Sequence, residues 1–537
     1  MAFLPTGLIG NSNGDMPSPT SLLLWSAGIV FIIWYIVTAF QAWYSMRHIP
    51  GPFFARFSYL PYIWHLATNQ MDPYYTRIHA QYGNTPFVRI SPQGLVTNDP
   101  DVLRKIGSAR STYGRGQWYK GGRFHEEYEN VGSTLDIQEH DRLKAKTASG
   151  YSGREAGAEF EPVIDEQMRR LADLIRRKYL SEGEEARPVE ISSLMQMFTL
   201  DVITNLGYSK SFGHLDEGLD VHGYIADVKA TMKLRTFFTE LPLVRSIMLT
   251  KYGWKMFGPT TKDPKGAGKL MALIHDIVEE RFKQRTSLVS EKDAKARDMV
   301  DGFMRNGLSQ HEIEGEAALQ VFAGSDTTAI TLSVAIVSLA TTPRAYARFK
   351  AEISSAIASG HVSADKPITF EQAQKLPYLQ AVIWESFRTR CPANFGFYKT
   401  VPPEGDTLKG VFLPGGTDIG NNILALSRNV RVFGKDVEVF RPERFLVGPD
   451  CDEDTRAYRT KSIEVVFGGG RWMCSGKQVA MYELHKALFE LFRRFDFQVM
   501  NPKNAWQEGN YVIPTLHDMW VKVTDAGNDE RPYPSRQ

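Results

Sequence analysis

The chain has 537 residues, is 43% hydrophobic and 23% charged, and carries a formal net charge of +2. That is a globular balance, long enough for one very large core or two to three domains, and it gives no charge excess suited to nucleic acid. Three cysteines, Cys391, Cys451 and Cys474, exclude a disulfide framework and a four-thiolate zinc or iron–sulfur site, and they point to a reducing compartment.

No charged residue stands between Asp15 and Arg47. Within that span, SLLLWSAGIVFIIWYIVTAFQAWY (Ser21 to Tyr44) is long enough as a helix to cross a hydrocarbon core of about 30 Å. Trp25, Trp34, Tyr35, Trp43 and Tyr44 include interfacial anchors at both ends of the run. A cleaved signal peptide fits less well: no basic region precedes the run and no small-residue cleavage site follows it. Arg47, His48 and Arg56 follow the run, whereas residues 1–20 carry only Asp15, so the C-terminal bulk is expected on the cytoplasmic side. IPGP (Ile49 to Pro52) stops the helix with a stiff turn. The expected division is a short non-cytoplasmic N-terminus over 1–20, a transmembrane anchor over 21–46, a proline-rich neck over 47–56, and one large domain over 57–537.

PFVRI and GLVTN, between Phe53 and Asn98, read as short strands. From about Phe160 to Ala340 the periodicity is helical. EPVIDEQMRRLADLIRRKYL and MALIHDIVEERFKQR both carry apolar residues at three- and four-residue spacing. Polar breaks at Thr260 to Gly268 and Thr286 to Arg297 read as loops. Further helices follow Ala340, then strands and turns from Lys399 to Gly420, and weak alternation from Phe495 to Val523. The expected fold class is mainly α with small β-sheets, preceded by one transmembrane helix.

LQVFAGSDTTAITLSVAIVSLA (Leu319 to Ala340) has a single charge, Asp326. A second membrane span is long enough here, but an intramembrane carboxylate is costly, and a buried core helix explains the pattern better. Asp326 is then a group that needs a hydrogen bond or a function. Ala323 and Gly324 leave room for something flat one turn before Thr327. The alternative is a Thr-capped break in a core helix.

ESFR places Glu385 and Arg388 on one helix face among apolar neighbours, with Arg444 of FRPERF as the natural third member of a buried ion cluster. The same spacing at Glu166 and Arg169 reads as a surface pair. Cys391 and Cys451 read as small hydrophobes. Cys474 differs. In FGGGRWMCSG it lies just before the helical GKQVAMYELHKALFELFRRF, where free N–H groups and the macrodipole favour a thiolate. The glycines before it let the backbone approach a bulky partner. A nucleophile needs a nearby base, and no histidine follows before His485. A thiolate axial ligand to haem iron fits better.

AGSDTT, ESFR, PERF and FGGGRWMCSG, in this order, resemble the motifs of the cytochrome P-450 haem-thiolate monooxygenases over nearly the whole chain. The anchor and IPGP are similar to the microsomal form, and GRWMCSGK is similar to fungal members that tailor secondary metabolites such as terpenoids, polyketides and alkaloids. The resemblance implies the P-450 fold and heme b, with Cys474 as the metal ligand and 57–537 as the catalytic domain. It implies cofactor contacts from Phe467, Gly470, Arg471, Gly476, Ala323 and Gly324, with His140, Lys144 and Lys399 as candidate propionate partners. Asp326 and Thr327 would deliver protons through ordered water. One departure stands out: the family's usual arginine two residues before the cysteine is Trp472 here, and the cation is Arg471; either Arg471 or the Trp472 indole N–H would then meet a haem propionate.

The resemblance further implies an endoplasmic reticulum membrane location and an NADPH-cytochrome P-450 reductase docking on the cysteine face, near Arg471 and Lys477. It allows cytochrome b5 as a second electron donor. The substrate would be a lipophilic small molecule, enclosed by Tyr113 to Phe124, Phe237 to Phe257, Ala393 to Phe397 and Ile513 to Leu516. Two rival functions are a non-oxygen isomerase or dehydratase of the same fold and a non-catalytic haem-binding protein. The intact Asp326–Thr327 pair argues against both.

Overall fold

The computed structural model describes residues 18–83, 85–125, 128–152, 157–286 and 298–527. The apolar run forms helix α1 (Pro19–Ser45), opened by Ser18, whose hydroxyl accepts from the Ser21 N–H. Its 27 residues span about 40 Å at ~1.5 Å per residue, and none of its apolar window is buried against the rest of the protein. It is a candidate membrane anchor. Of the expected N-terminal segment, residues 1–17 lie outside the described residues.

The neck is pinned to the body. Arg89, fully buried, donates to the carbonyls of Ala42 at 2.9 Å, Arg56 at 3.1 Å and Pro92 at 2.7 Å. One guanidinium thus ties the end of α1, the neck and the first sheet together. Gly51 is required there: a Cβ would lie 2.3 Å from the Arg89 carbonyl oxygen.

The strands are short. They are β1 (Val88–Arg89), β2 (Gly94–Thr97), β3 (Gly114–Arg115), β4 (Val189–Glu190), β5 (Phe395–Thr400), β6 (Asp406–Leu408), β7 (Val411–Leu413), β8 (Asp418–Asn422), β9 (Phe495–Val499), β10 (Gln507–Gly509), β11 (Thr515–His517) and β12 (Trp520–Asp525). Five of them form one sheet in the order β1-β2-β8-β5-β3, with β2 and β8 parallel. The others pair as β4-β12-β9, β6-β7 and β10-β11. In the larger sheet Arg115 of β3 stands opposite Lys399 of β5.

Helices make up most of the body. Those that build the site are α2 (Ile137–Ser152), α3 (Gly157–Leu174), α4 (Ile191–Tyr208), α5 (Tyr224–Glu240), α6 (Gly266–Thr286), α7 (Gln310–Ala340), α8 (Pro377–Thr389) and α9 (Lys477–Arg494). The predicted run to Leu180 is α3 continued by a widened turn over Ile175–Tyr179. The predicted loop at Thr260 to Gly268 ends where α6 begins at Gly266, and residues 287–297 of the second loop lie outside the described residues.

Helix α7 starts on a reciprocal cap: Ser309 and Glu312 satisfy each other's backbone N–H groups. Of its most apolar window, 78% is buried inside the protein, against none for α1. It is a core helix and packs along α4, whose residues from Phe198 to Leu200 are buried.

Candidate active site

A cavity of about 970 Å³ lies between α7, α5, the β3–β5 edge and the loop that leads into α9. Cys474 opens into it. The loop is fixed by the Cys474 N–H, which donates to the Phe467 carbonyl at 2.7 Å. The glycines serve the protein backbone first. Gly470 has φ +55°, and a Cβ there would sit 2.3 Å from the Ala109 nitrogen; Gly468 has φ +72° and faces the Trp472 carbonyl. The loop therefore folds onto residues 107–109: at these two glycines the close approach expected toward a cofactor is made to protein backbone.

Gly476, expected as a cofactor contact, is the N-cap of α9, so Cys474 lies just before the helix. The helix terminus alone does not make Cys474 a thiolate. Burial pushes the thiol up, while the Gly476 N–H, the Lys144 charge and the Lys477 N–H pull it back. A thiolate here needs a cation in the cavity, as metal ligation supplies. Cys391 is buried and its thiol is pushed up to about 12 by burial; Cys451 is buried as well. Both behave as the inert hydrophobes expected.

Cations gather on one edge of the cavity around Trp472. The Lys399 ammonium lies 4.1 Å from its ring and the Arg115 guanidinium 4.5 Å, and the His140 ring is 4.4 Å away. Arg115 donates to the carbonyls of Val131 at 2.7 Å and Thr134 at 3.1 Å. Lys399 is 6% exposed, and its Nζ has no hydrogen-bond partner among the described residues. Burial, then Arg115 and Lys144, pushes its ammonium down to about 6. Burial holds His140 at about 4, so the ring is neutral at neutral pH. An amine kept neutral by burial beside a second cation regains its charge when an anion binds, so the site favours an anion. This donor set fits a flat cofactor with carboxylate arms and a soft axial ligand from Cys474.

Two expected contacts fall elsewhere. The Arg471 side chain reaches Asp141 at 3.5 Å and does not line the cavity; Trp472 does. Lys144 lines the cavity, but its Nζ donates to the carbonyls of Arg471 at 2.6 Å and Met473 at 2.7 Å, so it holds the loop. Lys477 is paired with Glu464. The cysteine face therefore carries less free positive charge than its sequence suggests. Arg115 was not singled out in the sequence. Its only signal was a cation between glycines in YGRGQW, and its pairing with Lys399 is made by the sheet.

On α7, Ala323, Gly324 and Thr327 line the cavity. The Thr327 hydroxyl donates to the Ala323 carbonyl at 2.8 Å. A Cβ on Gly324 would meet Ile203 at 3.1 Å, so this glycine also brings α7 close to α4. Asp326 faces the other way. It is 3% exposed and accepts from Gln196 of α4 at 2.9 Å; its Oδ2 has no partner among the described residues. Burial pushes its carboxyl up to about 6, against the Gln196 amide and the charges of Lys229 and Arg235.

The ion cluster forms as expected. Arg388 donates to both Glu385 oxygens at 2.7 Å and to the Val437 carbonyl at 2.7 Å. Arg444 adds a 3.3 Å bond to Glu385 and a 2.6 Å bond to the Phe433 carbonyl. All three side chains are at most 2% exposed. Of the predicted walls, Phe124, Trp254, Phe257, Phe397 and Ile513 line the cavity. Leu516 instead borders a smaller void beside α7.

A profile of the family described as Cytochrome P450 matches residues 50–517. The chain is 42% identical over 508 residues to Cytochrome P450 monooxygenase ABA1 of Pyricularia oryzae, covering 93% of this chain and 97% of that protein. It is 37% identical over 492 residues to Cytochrome P450 monooxygenase aba1 of Botryotinia fuckeliana, covering 90% and 93%. The crystal structure of the cytochrome P450DA heme domain superposes with a TM-score of 0.70 at 17% identity, covering 90% of this chain and 99% of that one. That likeness confirms the fold. Family and fold imply haem with a cysteine thiolate. The chain belongs to the cytochrome P-450 family and is one of its monooxygenases.

Proposed function

We propose that this protein holds heme b through Cys474 and inserts one atom of dioxygen into a lipophilic small molecule of fungal secondary metabolism. The observation that carries this reading is that Cys474, Thr327 and the unpartnered Lys399 share one cavity. When bound, haem iron supplies dioxygen activation, with the cysteine thiolate tuning its electron density. The protein's own residues do the rest. Phe467, which lines the same cavity, would limit solvent at the sulfur. Arg115 and Lys399, with neutral His140, receive the carboxylate arms and take over the task that an arginine performs where Trp472 stands. Ala323 and Gly324 leave α7 free of bulk beside the cofactor. Thr327 and Asp326 hold and move protons.

Phe124, Phe397 and Ile513 support a lipophilic substrate. Outside, Phe53 and Phe54 near the end of α1, with Trp64, Ile247, Tyr252 and Met256, are exposed apolar side chains that suit a membrane-facing entrance. On this reading the chain crosses the endoplasmic reticulum membrane once, with 1–20 on the far side, an anchor over 21–46, a neck over 47–56 and the catalytic domain 57–537 in the cytoplasm. Its electrons come from NADPH through a membrane-bound reductase, with cytochrome b5 as an optional second donor.

The test is the carbon monoxide difference spectrum of the dithionite-reduced, full-length protein in detergent. A strongly red-shifted Soret band is expected, and Cys474→Ser should abolish it. A red-shifted band that survives Cys474→Ser would remove Cys474 as the ligand.

A further inference from the structure

Beside α7, parted from the large cavity by Met232 and Ile513, which line both, lies a void of about 10 Å³, the space of one water molecule. Its polar lining is Ser192 and Gln196 of α4, Asp326 and Ser333 of α7, and Thr515 of β11. Two acceptors there lack donors among the described residues: Asp326 Oδ2 and Gln196 Oε1. The Gln196 amide nitrogen is already committed to Asp326 Oδ1 at 2.9 Å. Ser333 donates to the Ala329 carbonyl at 2.7 Å and retains lone pairs. One water has two protons for those two acceptors and can accept in return.

The void has a polar exit. The Ser192 hydroxyl has one proton and three acceptors in reach: the Glu190 carboxylate oxygens at 2.8 and 2.9 Å and the Leu516 carbonyl at 2.9 Å. The Glu190 side chain is 17% exposed and lies 4.0 Å from Lys229, which is 25% exposed and donates to Ser193 at 3.0 Å. The groups facing Asp326 are thus Gln196 from α4 and Lys229, Arg235 and Tyr224 from α5. Among the described residues, Asp326 has no ion pair.

We propose that Ser192, and a water held between Asp326 and Gln196, form the proton entrance to the active site from the Glu190–Lys229 surface pair. This rests on the monooxygenase reading of Thr327 and Asp326. A solvent proton taken up by the Glu190 carboxylate passes to Ser192 Oγ, which gives its own to the water, which gives one to Asp326 Oδ2. Each hop makes one O–H bond and breaks one, and no electrons move. From Asp326 the proton passes on within the Asp326–Thr327 pair. Gln196 is a positioning residue: it holds the acid and the water but does not titrate.

The test uses full-length holoenzyme with reductase and NADPH in air, without added substrate. It compares wild type with Ser192→Ala, Gln196→Leu and the hydroxyl-retaining Ser192→Thr. Ser192→Ala should slow NADPH oxidation by roughly a hundredfold or more, the low end for positioned proton transfer, and enlarge its solvent isotope effect. Ser192→Thr should restore both. A crystal structure should show a water within hydrogen-bond distance of Asp326 Oδ2 and Gln196 Oε1 in the wild type, and none so placed in Gln196→Leu. A dry void, or an unchanged isotope effect in Ser192→Ala with its red-shifted carbon monoxide band intact, would overturn this route alone. Absence of that band in the wild type would overturn the route together with the reading beneath it.

Discussion

Lys399→Met separates two roles of one side chain. The lysine lies buried on β5 against Trp472, opposite Arg115, and burial holds its ammonium at about 6 against an ordinary 10.5. Without an anion, keeping that amine neutral at pH 7 costs the fold about 5 kcal/mol, at ~1.36 kcal/mol per pH unit. Because the folded pKa is depressed, the amine is charged in both states below about pH 6, where the full penalty applies. Between about 6 and 10.5 the unfolded chain binds a proton that the fold does not, so stability of the cofactor-free protein rises with pH.

Methionine keeps the length and removes the charge. Cofactor-free Lys399→Met should therefore gain several kcal/mol over wild type in urea unfolding at pH 7, and the gain should shrink toward pH 10. The holoprotein should respond in the opposite sense. Losing one charge-assisted bond to a carboxylate costs about 1.5–3 kcal/mol, roughly ten- to a hundredfold faster transfer of haem to a scavenger globin. A cofactor-free variant less stable than wild type at pH 7, or an unchanged haem transfer rate, would refute the reasoning.

Glu385→Gln keeps the shape but strands two buried guanidiniums, so denaturation should show a loss of about 3–5 kcal/mol. A loss below about 1 kcal/mol would mean that Asp436 and the carbonyls suffice for Arg444 and Arg388. Gly470→Ala combines a left-handed backbone with a Cβ inside the Ser108–Ala109 backbone, so the loop must shift. Haem content should fall sharply in spectra of the purified protein; full occupancy would show that the loop tolerates the displacement.

Much of this protein was legible in its sequence because the signals are local. An uninterrupted apolar run has few options besides a membrane, and α1 stands unburied at the predicted place. A single carboxylate inside an apolar stretch implied a core helix, and α7 is one. Three-residue spacing put Glu385 and Arg388 on one face, and a cysteine just before an amphipathic helix sits at its N-terminus whatever the fold around it. Local pattern also fixed that Asp326 and Thr327 point in different directions, about 100° apart on a helix.

Which of the two faced the cavity was decided by α4, whose Gln196 takes Asp326 to the far side. The cofactor edge was decided the same way. Arg115 and Lys399 are far apart in the chain and become neighbours only because β3 pairs with β5. Arg471 and Trp472 adjoin in sequence, yet the loop's folding onto residues 107–109 turns the ring to the cavity and the guanidinium to Asp141. Sequence determines which chemical groups the chain has and which face of its own helix or strand each takes. Tertiary packing decides which groups from distant segments share one enclosed space, because burial and unpaired charge are properties of that space.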